Sequence, residues 1–430
     1  MSILRTMQTG VSGLRAETGA LSVVGDNIAN LNTVGFKYSR AEFEDVLGAV
    51  PGTKMRGGGA GVRMVRSQQI FTQGALSNTG VGTDLGLSGD GFFIVEGQMN
   101  GVQGQFYSRA GQMTLRNDGT LINPQGLELQ GYAATPGGGF ESALSSIQVS
   151  TAALAPQPTS EMDVVANLDA TEQPPAVTPF DPNDPANSSN FSTSMTIFDS
   201  LGNPHQTEVY FVNNGPNSWE YHALVDGSEV TPPVAGNHEW ATGTLTFNTN
   251  GALDSNTITS GGTIDFVGAT PGQAVTLDFG TPIAAGGTGQ DGITQYGSPS
   301  GVSSQNQDGY SSGDLAGIEI SADGVVSGIY TNGESIAAGQ IAVAKFQAQQ
   351  SLGRAGGNTW IKTRDSGEPA IGAAGSSGRG SVVAGALEQS NVDVAAQFVD
   401  MIAHQRAFSA NSKTITTADE MYSELVNLKR

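Results

Sequence analysis

The sequence predicts a mixed, mainly β protein: two discontinuous antiparallel β-domains lie between terminal helices that pair in a coiled-coil-like assembly domain. Three observations predict this arrangement. Apolar residues follow heptad spacing at both ends, the sequence between them alternates apolar and polar residues, and 60 glycines among 430 residues supply many tight turns. The two ends therefore belong to one domain that the middle of the chain interrupts.

Each end carries a stripe of apolar residues at helical spacing. Thr18 and Gly25 interrupt the N-terminal stripe, which consists of Leu4, Met7, Val11, Leu14, Leu21 and Ile28. The C-terminal stripe recurs every seven residues at Leu387, Val394, Met401, Phe408, Ile415 and Tyr422, and is widened by Phe398, Ile402, Leu425 and Val426. Since neither helix can bury its stripe alone, both need partners, which indicates a polymerising subunit rather than an enzyme.

The segment from Asp26 to Phe36 predicts how the N-terminal helix ends. Three asparagines and Gly35 fall within nine residues and are followed by an aromatic residue. Asparagine and glycine readily adopt left-handed backbone at helix C-termini, and asparagine amides satisfy the carbonyls that the helix end leaves free. We therefore expect a structured turn rather than a simple helix cap.

The middle of the chain reads as β-structure. Residues 81–132 alternate apolar and polar positions, and four dipeptides typical of hairpin turns separate such runs: Asp118-Gly119, Asn250-Gly251, Asp323-Gly324 and Asn332-Gly333. A second β-domain begins near Ser192, with a strand, a turn at Gly202-Asn203 and a return strand from Thr207. The preceding segment, 155–190, is rich in Pro, Ser, Thr and Asn and predicts a linker or an exposed loop.

These patterns predict three domains with interleaved boundaries. The assembly domain comprises residues 1–70 and 375–430, the first β core domain comprises 71–145 and 295–374, and the second β-domain is inserted at 146–294. Residues 46–83 contain no acid, and their cations Lys54, Arg56, Arg63 and Arg66 surround a glycine-rich run. This basic connector is either a flexible spacer or a surface whose arginines, above all Arg63 and Arg66, meet acids of a neighbouring subunit. Candidate acids on the C-terminal helix are Asp393, Asp400, Glu420 and Glu424.

Charge is unevenly distributed along the chain. Residues 117–344 contain 24 acids and no Lys or Arg, while the rest of the chain carries a net charge of +3. Such an acidic region disfavours binding to nucleic acid or anionic membranes. It is either a solvated, solubilising surface or the outer shell of an appendage that like charge keeps from adhering.

Signals for an enzyme or a bound cofactor are weak. There is no cysteine, and His205, His222, His238 and His404 lack ligand-like spacing. The GxGxxG match at 287–292 has no strand leading in and no helix leading out, as phosphate binding requires. We therefore predict no catalytic, cofactor-binding or metal-binding residues. The first residues lack the features of a cleavable signal peptide, and no stretch approaches the roughly 18 apolar residues of a membrane span, so we expect a soluble protein that is exported without a Sec-type leader.

The segment from Asp26 to Phe36 resembles the N-terminal signature of the rod and hook axial proteins of the bacterial flagellum. The matching positions are Asn27, Ala29, Asn30, Thr33, Gly35 and Phe36. The resemblance continues through Gly82–Val95, Tyr107–Gly111, Leu127–Tyr132, Gly313–Gly333, Gly378–Gly380, Gly385–Asp393, Gln405–Phe408 and Thr416–Met421. It thus covers nearly the whole chain. Length and the inserted second β-domain favour a hook subunit, and the alternative within the family is a distal rod subunit.

This resemblance implies a helical homopolymer in which the terminal helices form an inner tube and the β-domains form outer layers. It implies a flexible tube that transmits motor torque from rod to filament, located in the hook outside the cell. The implied partners are the rod, the hook cap, the hook–filament junction proteins and the type III export apparatus, with no nucleic acid and no membrane insertion. A secreted β-rich adhesin or enzyme would explain the acidic middle, but not the paired terminal helices without a signal peptide.

Overall fold

The computed structural model describes residues 3–47, 59–135 and 137–427, which form a mainly β protein with long helices near both ends. The helices are α1 (Ile3–Ala29), the short α2 (Pro185–Ser188) and α3 (Val394–Asn427). Among the described residues, no helix is long and apolar enough to cross a membrane.

The chain divides into two compact units. The first unit comprises Met1–Thr151, Gly317–Ile329 and Ser335–Arg430, and the second comprises Ala152–Ala316 and Tyr330–Glu334. The chain therefore leaves the first unit after residue 151 and re-enters it at residue 317. The three-domain division stays a prediction, but the boundary expected at residue 294 is wrong, since the next 22 residues belong to the second unit.

In its described residues, the N-terminal part of the first unit contributes ten strands. These are β1 (Ser39–Leu47), β2 (Gly59–Gln69), β3 (Leu76–Asn78), β4 (Leu85–Ser88), β5 (Phe92–Met99), β6 (Val102–Ser108), β7 (Thr114–Leu115), β8 (Leu121–Ile122), β9 (Glu128–Ala134) and β10 (Phe140–Ser146). β1 and β2 form an antiparallel hairpin of their own. Of the two alternatives for the basic connector, the flexible spacer is wrong for residues 59–69, because this segment is strand β2. Lys54 and Arg56 lie outside the described residues.

The second unit contains strands β11 to β21. Their bounds are β11 (Glu161–Asp169), β12 (Phe191–Phe198), β13 (Pro204–Gly215), β14 (Ser218–Asp226), β15 (Asn237–Phe247), β16 (Leu253–Gly261), β17 (Thr263–Ile264), β18 (Gln273–Ala274), β19 (Thr276–Asp278), β20 (Thr294–Tyr296) and β21 (Gly301–Gln307). β12 to β16 form a five-stranded antiparallel meander. β11 pairs in parallel with β19 and β20 and antiparallel with β21, which explains why residues beyond 294 belong to this unit.

Eight further strands follow and complete the first unit. They are β22 (Leu315–Ile320), β23 (Val325–Tyr330), β24 (Ser335–Lys345), β25 (Gly353–Gly356), β26 (Thr359–Ile361), β27 (Ala370–Ala373), β28 (Ser381–Ala384) and β29 (Ala386–Glu388). The main sheet runs β22-β23-β24-β9-β5-β6-β26-β25, with β7, β8, β10 and β27 attached, while β28 pairs with β4 and β29 with β3. Its core is aromatic, with Phe92 packed edge-on against Phe346 and Trp360.

The predicted hairpin turns are confirmed. Gly119, Gly251, Gly324 and Gly333 all have positive φ, between +78° and +89°. Each N–H donates to the carbonyl three residues earlier, at 2.8 to 3.0 Å. This is a type I turn closed by a left-handed residue, a conformation that glycine adopts without steric cost.

The linker expected at 155–190 is wrong for residues 161–169. These residues form β11, in which Met162, Val164, Ala166 and Leu168 alternate into the core of the second unit beside Trp219 and Trp240. The period-two pattern of a half-buried strand was present in the sequence, but the surrounding prolines dominated the composition.

Candidate assembly surface

Helices α1 and α3 lie antiparallel and in contact. The Asn27 amide donates to Gln397 Oε1 at 2.7 Å, and His404 Nδ1 lies 2.7 Å from Glu17 Oε2. Residue numbers fall along α3 as they rise along α1, which fixes the antiparallel direction. The contact therefore joins the two ends of one chain.

The seam that α1 presents consists of small and polar residues, and it is not the predicted apolar stripe. Its buried residues are Gly10, Gly13, Ala16, Ala20, Val24 and Asn27. A Cβ at Gly10 would lie 2.8 Å from Ile415 Cγ1, and one at Gly13 would lie 2.6 Å from Asn411 Nδ2. A side chain at either glycine would therefore displace the side chain of Ile415 or Asn411 that now fills the space above it. Sequence reasoning favoured larger apolar residues because they dominate ordinary coiled-coil seams.

The predicted stripe of α1 lies beside this seam. Leu4 and Val11 are exposed, at 63% and 39%, while Met7, Leu14, Leu21 and Ile28 are half-buried. Leu4, Met7 and Val11 line a groove of about 690 Å³ whose other wall is the β1–β2 hairpin, including Val62 and Met64. Within one chain, the N-terminal part of the stripe therefore borders the hairpin.

The predicted stripe of α3 is divided between two faces. Val394, Met401 and Ile415 are half-buried, and Ile415 lies against Gly10 of α1. An uncovered set of large apolar side chains, called here the exposed stripe, comprises Phe398, Val399, Ile402, Phe408, Met421, Tyr422 and Val426, at 38% to 66% exposure. Leu387 does not belong to this helix as expected, because it lies in β29 and pairs with Ser77. The Leu425 side chain lies outside the described residues.

The family-like signature forms the structured turn expected after α1. Asn30 Nδ2 donates to the Asp26 carbonyl at 2.9 Å, and Thr33 Oγ1 donates to Asn30 Oδ1 at 3.1 Å. Asn27 is buried, and besides Gln397 it exchanges two hydrogen bonds with the Ser39 backbone, at 2.7 and 2.8 Å. Its amide thus links α1, β1 and α3, whereas Ala29 is exposed.

Gly35 and Phe36 connect this turn to the β-structure of the first unit. Gly35 has φ of +68°, and a Cβ there would lie 2.6 Å from the Arg109 carbonyl carbon. Its N–H donates to the Glu388 carbonyl at 2.6 Å. Phe36 is buried, and the Arg354 guanidinium carbon lies 5.9 Å from the centre of its ring. Both the left-handed backbone and the close approach exclude a side chain at position 35.

A buried ionic cluster, which sequence reasoning missed, supports the same junction. Lys37 and Glu388 are fully buried and form a salt bridge, and Arg109 binds the other oxygen of Glu388 at 3.1 Å. Glu388 Oε1 also accepts the Gly74 N–H at 2.8 Å, and Lys37 Nζ donates to the Thr72 carbonyl at 2.8 Å. Burial lowers the pKa of Lys37, against the opposing effect of Glu388. The only sequence signal was a lysine directly after the Gly-Phe pair.

Asn391 holds the segment that leads into α3 by hydrogen bonds from its side chain. Its Oδ1 accepts the Tyr38 N–H at 2.8 Å, and its Nδ2 donates to the carbonyls of Ile70 and Thr72 at 2.9 and 3.0 Å. The segments after α1, after β2 and before α3 therefore meet at one asparagine. A side chain that bonds three backbone groups on two other segments fixes the path of the chain into both helices.

Arg63 and Arg66 are paired within their own hairpin. Arg66 Nε donates to Glu42 Oε2 at 2.8 Å, and Arg63 Nε donates to Glu44. The Arg66 hydrogen bond lowers the pKa of Glu42. The side chains of Arg63 and Arg66 are exposed, at 69% and 56%, and those of Glu44 and Glu42 are partly exposed, at 40% and 29%. The role of these arginines toward a neighbouring subunit stays a prediction.

Four protein-family models match the chain in sequence order. Residues 7–37 match the flagella basal body rod protein model, and residues 86–160 match the flagellar hook protein FlgE/F/G D1 domain. Residues 167–310 match the flagellar basal body protein FlaE D2 domain, and residues 383–428 match the flagellar basal body rod FlgEFG protein C-terminal model. The D2 match falls within the second unit and the other three matches involve the first.

Curated relatives match over almost their full lengths. The flagellar hook protein FlgE of Salmonella typhimurium is 36% identical over 422 residues, which cover 97% of this chain and 98% of the relative. The flagellar hook protein FlgE of Treponema pallidum is 34% identical, with 100% of both chains covered. The crystal structure of Helicobacter pylori flagellar hook protein FlgE2 shares the fold, with a TM-score of 0.51 at 15% identity over 71% of this chain and 98% of that chain. The chain thus belongs to the flagellar hook protein FlgE family.

Proposed function

We propose that this protein polymerises into the flexible tube of the bacterial flagellar hook and that the surface of its terminal helices drives polymerisation. Its family is one of structural hook proteins, so the chain is a hook subunit and not an enzyme. The hook of the flagellum is accordingly its location, and polymerisation and association with basal-body components follow from the family.

The observation that carries the assembly proposal is the exposed stripe on α3. Seven large apolar side chains lie within 29 residues of one helix and stay uncovered in the single chain. Large apolar side chains concentrated on one exposed helix indicate an interaction site, and their burial against neighbouring subunits would stabilise a polymer by about 25 cal/mol per Å² of apolar area. Leu4 and Val11 of α1 are also exposed, which supports a contact with neighbouring subunits for that helix too.

The pairing of α1 and α3 supports a coiled-coil-like inner layer for this polymer. Buried residues of α1 recur in two heptad series, Gly10-Glu17-Val24 and Gly13-Ala20-Asn27, and only Glu17 among them is half-buried. Heptad spacing in both helices is what continuous knobs-into-holes packing requires. The β-structure would then form the outer layers.

The charge of the second unit supports sliding rather than locked contacts in those outer layers. Its residues include no Lys or Arg, and they lie within the 117–344 region that carries 24 acids. Like-charged, hydrated surfaces associate weakly, so neighbouring subunits can move past one another as a bent tube rotates. A tube with a firm inner layer and sliding outer layers can transmit motor torque while curved, as a universal joint must.

The finer partners follow from this role. A hook subunit would contact the rod below, the hook cap during growth and the hook–filament junction proteins above. Export through the type III apparatus would deliver it unfolded, with the N-terminal segment acting first as export signal and then as α1. The alternative, a distal rod protein, has less support because the relatives matched over their full lengths are hook proteins.

Electron microscopy of flagellar remnants from a strain lacking this gene tests the proposal. Complete rods that end without a hook are the expected result. Truncated or absent rods would move the assignment to the rod, and normal flagella would contradict both functions. Re-expression of the unmodified gene should restore hooks and serves as the control.

A further inference from the structure

Three polar side chains recur every seven residues along the face of α3 that contacts α1. They are Gln397, His404 and Asn411, and the next position of the series is the fully buried Ala418. The other series of this face is apolar at Val394, Met401 and Ile415, all half-buried. One series thus supplies apolar packing, and the other brings hydrogen-bonding groups into the same seam.

Each polar side chain has its own counterpart on α1. Gln397 Oε1 accepts from the buried Asn27 at 2.7 Å, and His404 Nδ1 lies 2.7 Å from Glu17 Oε2. Asn411 fills the space over Gly13, where its side-chain atoms lie within 2.9 Å of the position that a Cβ would take. The three contacts are therefore different in chemistry: amide to amide, imidazole to carboxylate, and amide into a glycine gap.

A heptad seam without such groups packs almost equally well in registers that differ by seven residues. A shift of α3 by seven residues would replace each apolar residue of the Val394 series with another apolar residue of the same series, so packing between the two helices opposes it weakly. The other restraint on such a shift is the set of hydrogen bonds that hold Asn391, three residues before α3. The same shift would exchange matched contacts for mismatched ones: in one direction Asn27 would face His404 and Gly13 would face Ala418, and in the other Ala20 would face Gln397 and Gly13 would face His404. Buried polar groups without partners are costly, which is how single polar residues fix register in coiled coils.

We propose that Gln397, His404 and Asn411 form a polar ladder that fixes the register of α3 against α1. The inference goes beyond the proposed function: a tube under changing bending load applies shear along its inner helices, and the ladder would keep each pair from slipping by a heptad. These are positioning residues, and their effect is on which residues face each other rather than on how strongly the helices bind.

Disulfide trapping in hooks tests the register directly, because the chain has no cysteine. The in-register probe is Gly10→Cys with Ile415→Cys, since the Cβ of residue 10 would lie 2.8 Å from Ile415 Cγ1. Two slip probes combine Gly10→Cys and Ile415→Ala with either Phe408→Cys or Tyr422→Cys, one heptad away in each direction. Because both residues belong to the exposed stripe, a slip probe that prevents hook formation is oxidised as the purified full-length chain, in which α1 and α3 pair within one molecule. Hooks are isolated from a strain whose only hook protein carries the probe, then oxidised, and intrachain disulfides are identified by electrophoresis without reductant and by peptide mass.

With the ladder intact, only the in-register probe should form an intrachain disulfide. Replacing Gln397, His404 and Asn411 together by Leu should raise one slip probe by about tenfold relative to the intact ladder, while leaving the helices paired. Single Leu variants retain two rungs and should assemble, with smaller increases. The matched control is Met401→Leu on the apolar series, which should leave the slip probes unchanged.

Three outcomes would overturn the ladder: no in-register disulfide in the intact background, slip probes unchanged in every Leu variant that assembles, or failure of all single Leu variants to assemble. The last would mean that the polar residues serve folding and not register. Microscopy of the same preparations separates this from failure of the proposed function, which would give no hooks even when Gln397, His404 and Asn411 are unchanged.

Discussion

Helix α3 and the second unit differ in the exposure of their large apolar residues. In the second unit a core that includes Trp219, Trp240, Phe211 and Phe279 is almost completely buried, and the exposed apolar side chains are scattered singly over loops and strand edges. In α3, seven large apolar side chains are exposed along one helix. The second unit buries its large apolar residues within one chain, whereas α3 leaves apolar surface that neighbours would cover in the proposed polymer.

The difference explains how one chain can be both a stable particle and a polymer subunit. Stability in the second unit comes from contacts made inside one chain. In the proposed polymer, other chains would complete the stability of the terminal helices, so their folding would be linked to assembly by mass action. A change in one region should therefore affect assembly without unfolding, and a change in the other should do the reverse.

The largest expected effect comes from a charge in the exposed stripe. Phe408→Asp would place a carboxylate in the surface that neighbours bury, and should abolish hook formation because a buried unpaired charge is prohibitive. Met401→Asp should do the same through the contact with α1. The β-structure of both variants should remain, as measured by circular dichroism of purified protein, and electron microscopy reads assembly. Ser409→Asp, at an exposed position, is the control; normal hooks from Phe408→Asp would refute the stripe assignment.

The next largest effect is expected from removing a large apolar side chain from the core of the second unit. Phe211 is fully buried against Phe191 and Phe279, so Phe211→Ala should lower the free energy of unfolding by about 3–5 kcal/mol. Denaturant titration followed by tryptophan fluorescence measures this loss. Ile258→Ala, at a side chain that is 55% exposed, should change stability by less than about 0.5 kcal/mol. Equal effects at the two positions would mean that the core is not closed as described.

A smaller effect is expected at alkaline pH, and again in the second unit. Burial raises the pKa of Tyr221 to about 12, and burial together with the Glu208 hydrogen bond raises the pKa of Tyr210 to about 12, from 10.0. Between these values the unfolded chain loses protons that the folded chain keeps, so stability present below pH 10 is lost as pH rises toward 12. Tyrosinate absorbance and denaturant titration across this range measure it. Tyr221→Phe should reduce the pH dependence of the free energy of unfolding. If that dependence is unchanged, groups other than Tyr221 cause it.

The smallest expected effect concerns the exposed arginines of the hairpin. Reversing Arg63 and Arg66 to Glu should weaken hook assembly at low salt and less at high salt, because exposed charges are screened. A second variant also reverses Glu42 and Glu44 to Arg, which restores the pairs within the hairpin while keeping the reversal at 63 and 66. If that variant assembles normally at all salt concentrations, the arginines serve only their own hairpin and the intersubunit role fails.

Local patterns were sufficient for part of this molecule. Asparagine and glycine at 26–36 predicted the structured turn, and Asp-Gly and Asn-Gly pairs predicted four hairpin turns, because these residues adopt left-handed backbone or bind nearby carbonyls whatever surrounds them. Strand β11 also carried a readable alternation, although the neighbouring prolines obscured it.

The seam between α1 and α3 was not readable in this way. Heptad spacing located both helices, yet the residues that meet are Gly10, Gly13 and Ala20 rather than the larger apolar side chains one position away. Which face of α1 is buried depends on how closely α3 and the β1–β2 hairpin approach it. Glycine has no side chain, so it adds nothing to the apolar pattern from which a buried face is predicted.

Residues close together in the chain were enough to predict the two terminal helices, the β-rich middle, the turns and the acidic charge. Tertiary structure alone decided the close seam, the burial of Lys37 with Glu388 and Arg109, the pairing of Arg63 and Arg66 with β1, and the return of the chain at residue 317. The physical reason is that these contacts join residues tens to hundreds of positions apart. Their energy depends on distances that only the folded chain sets.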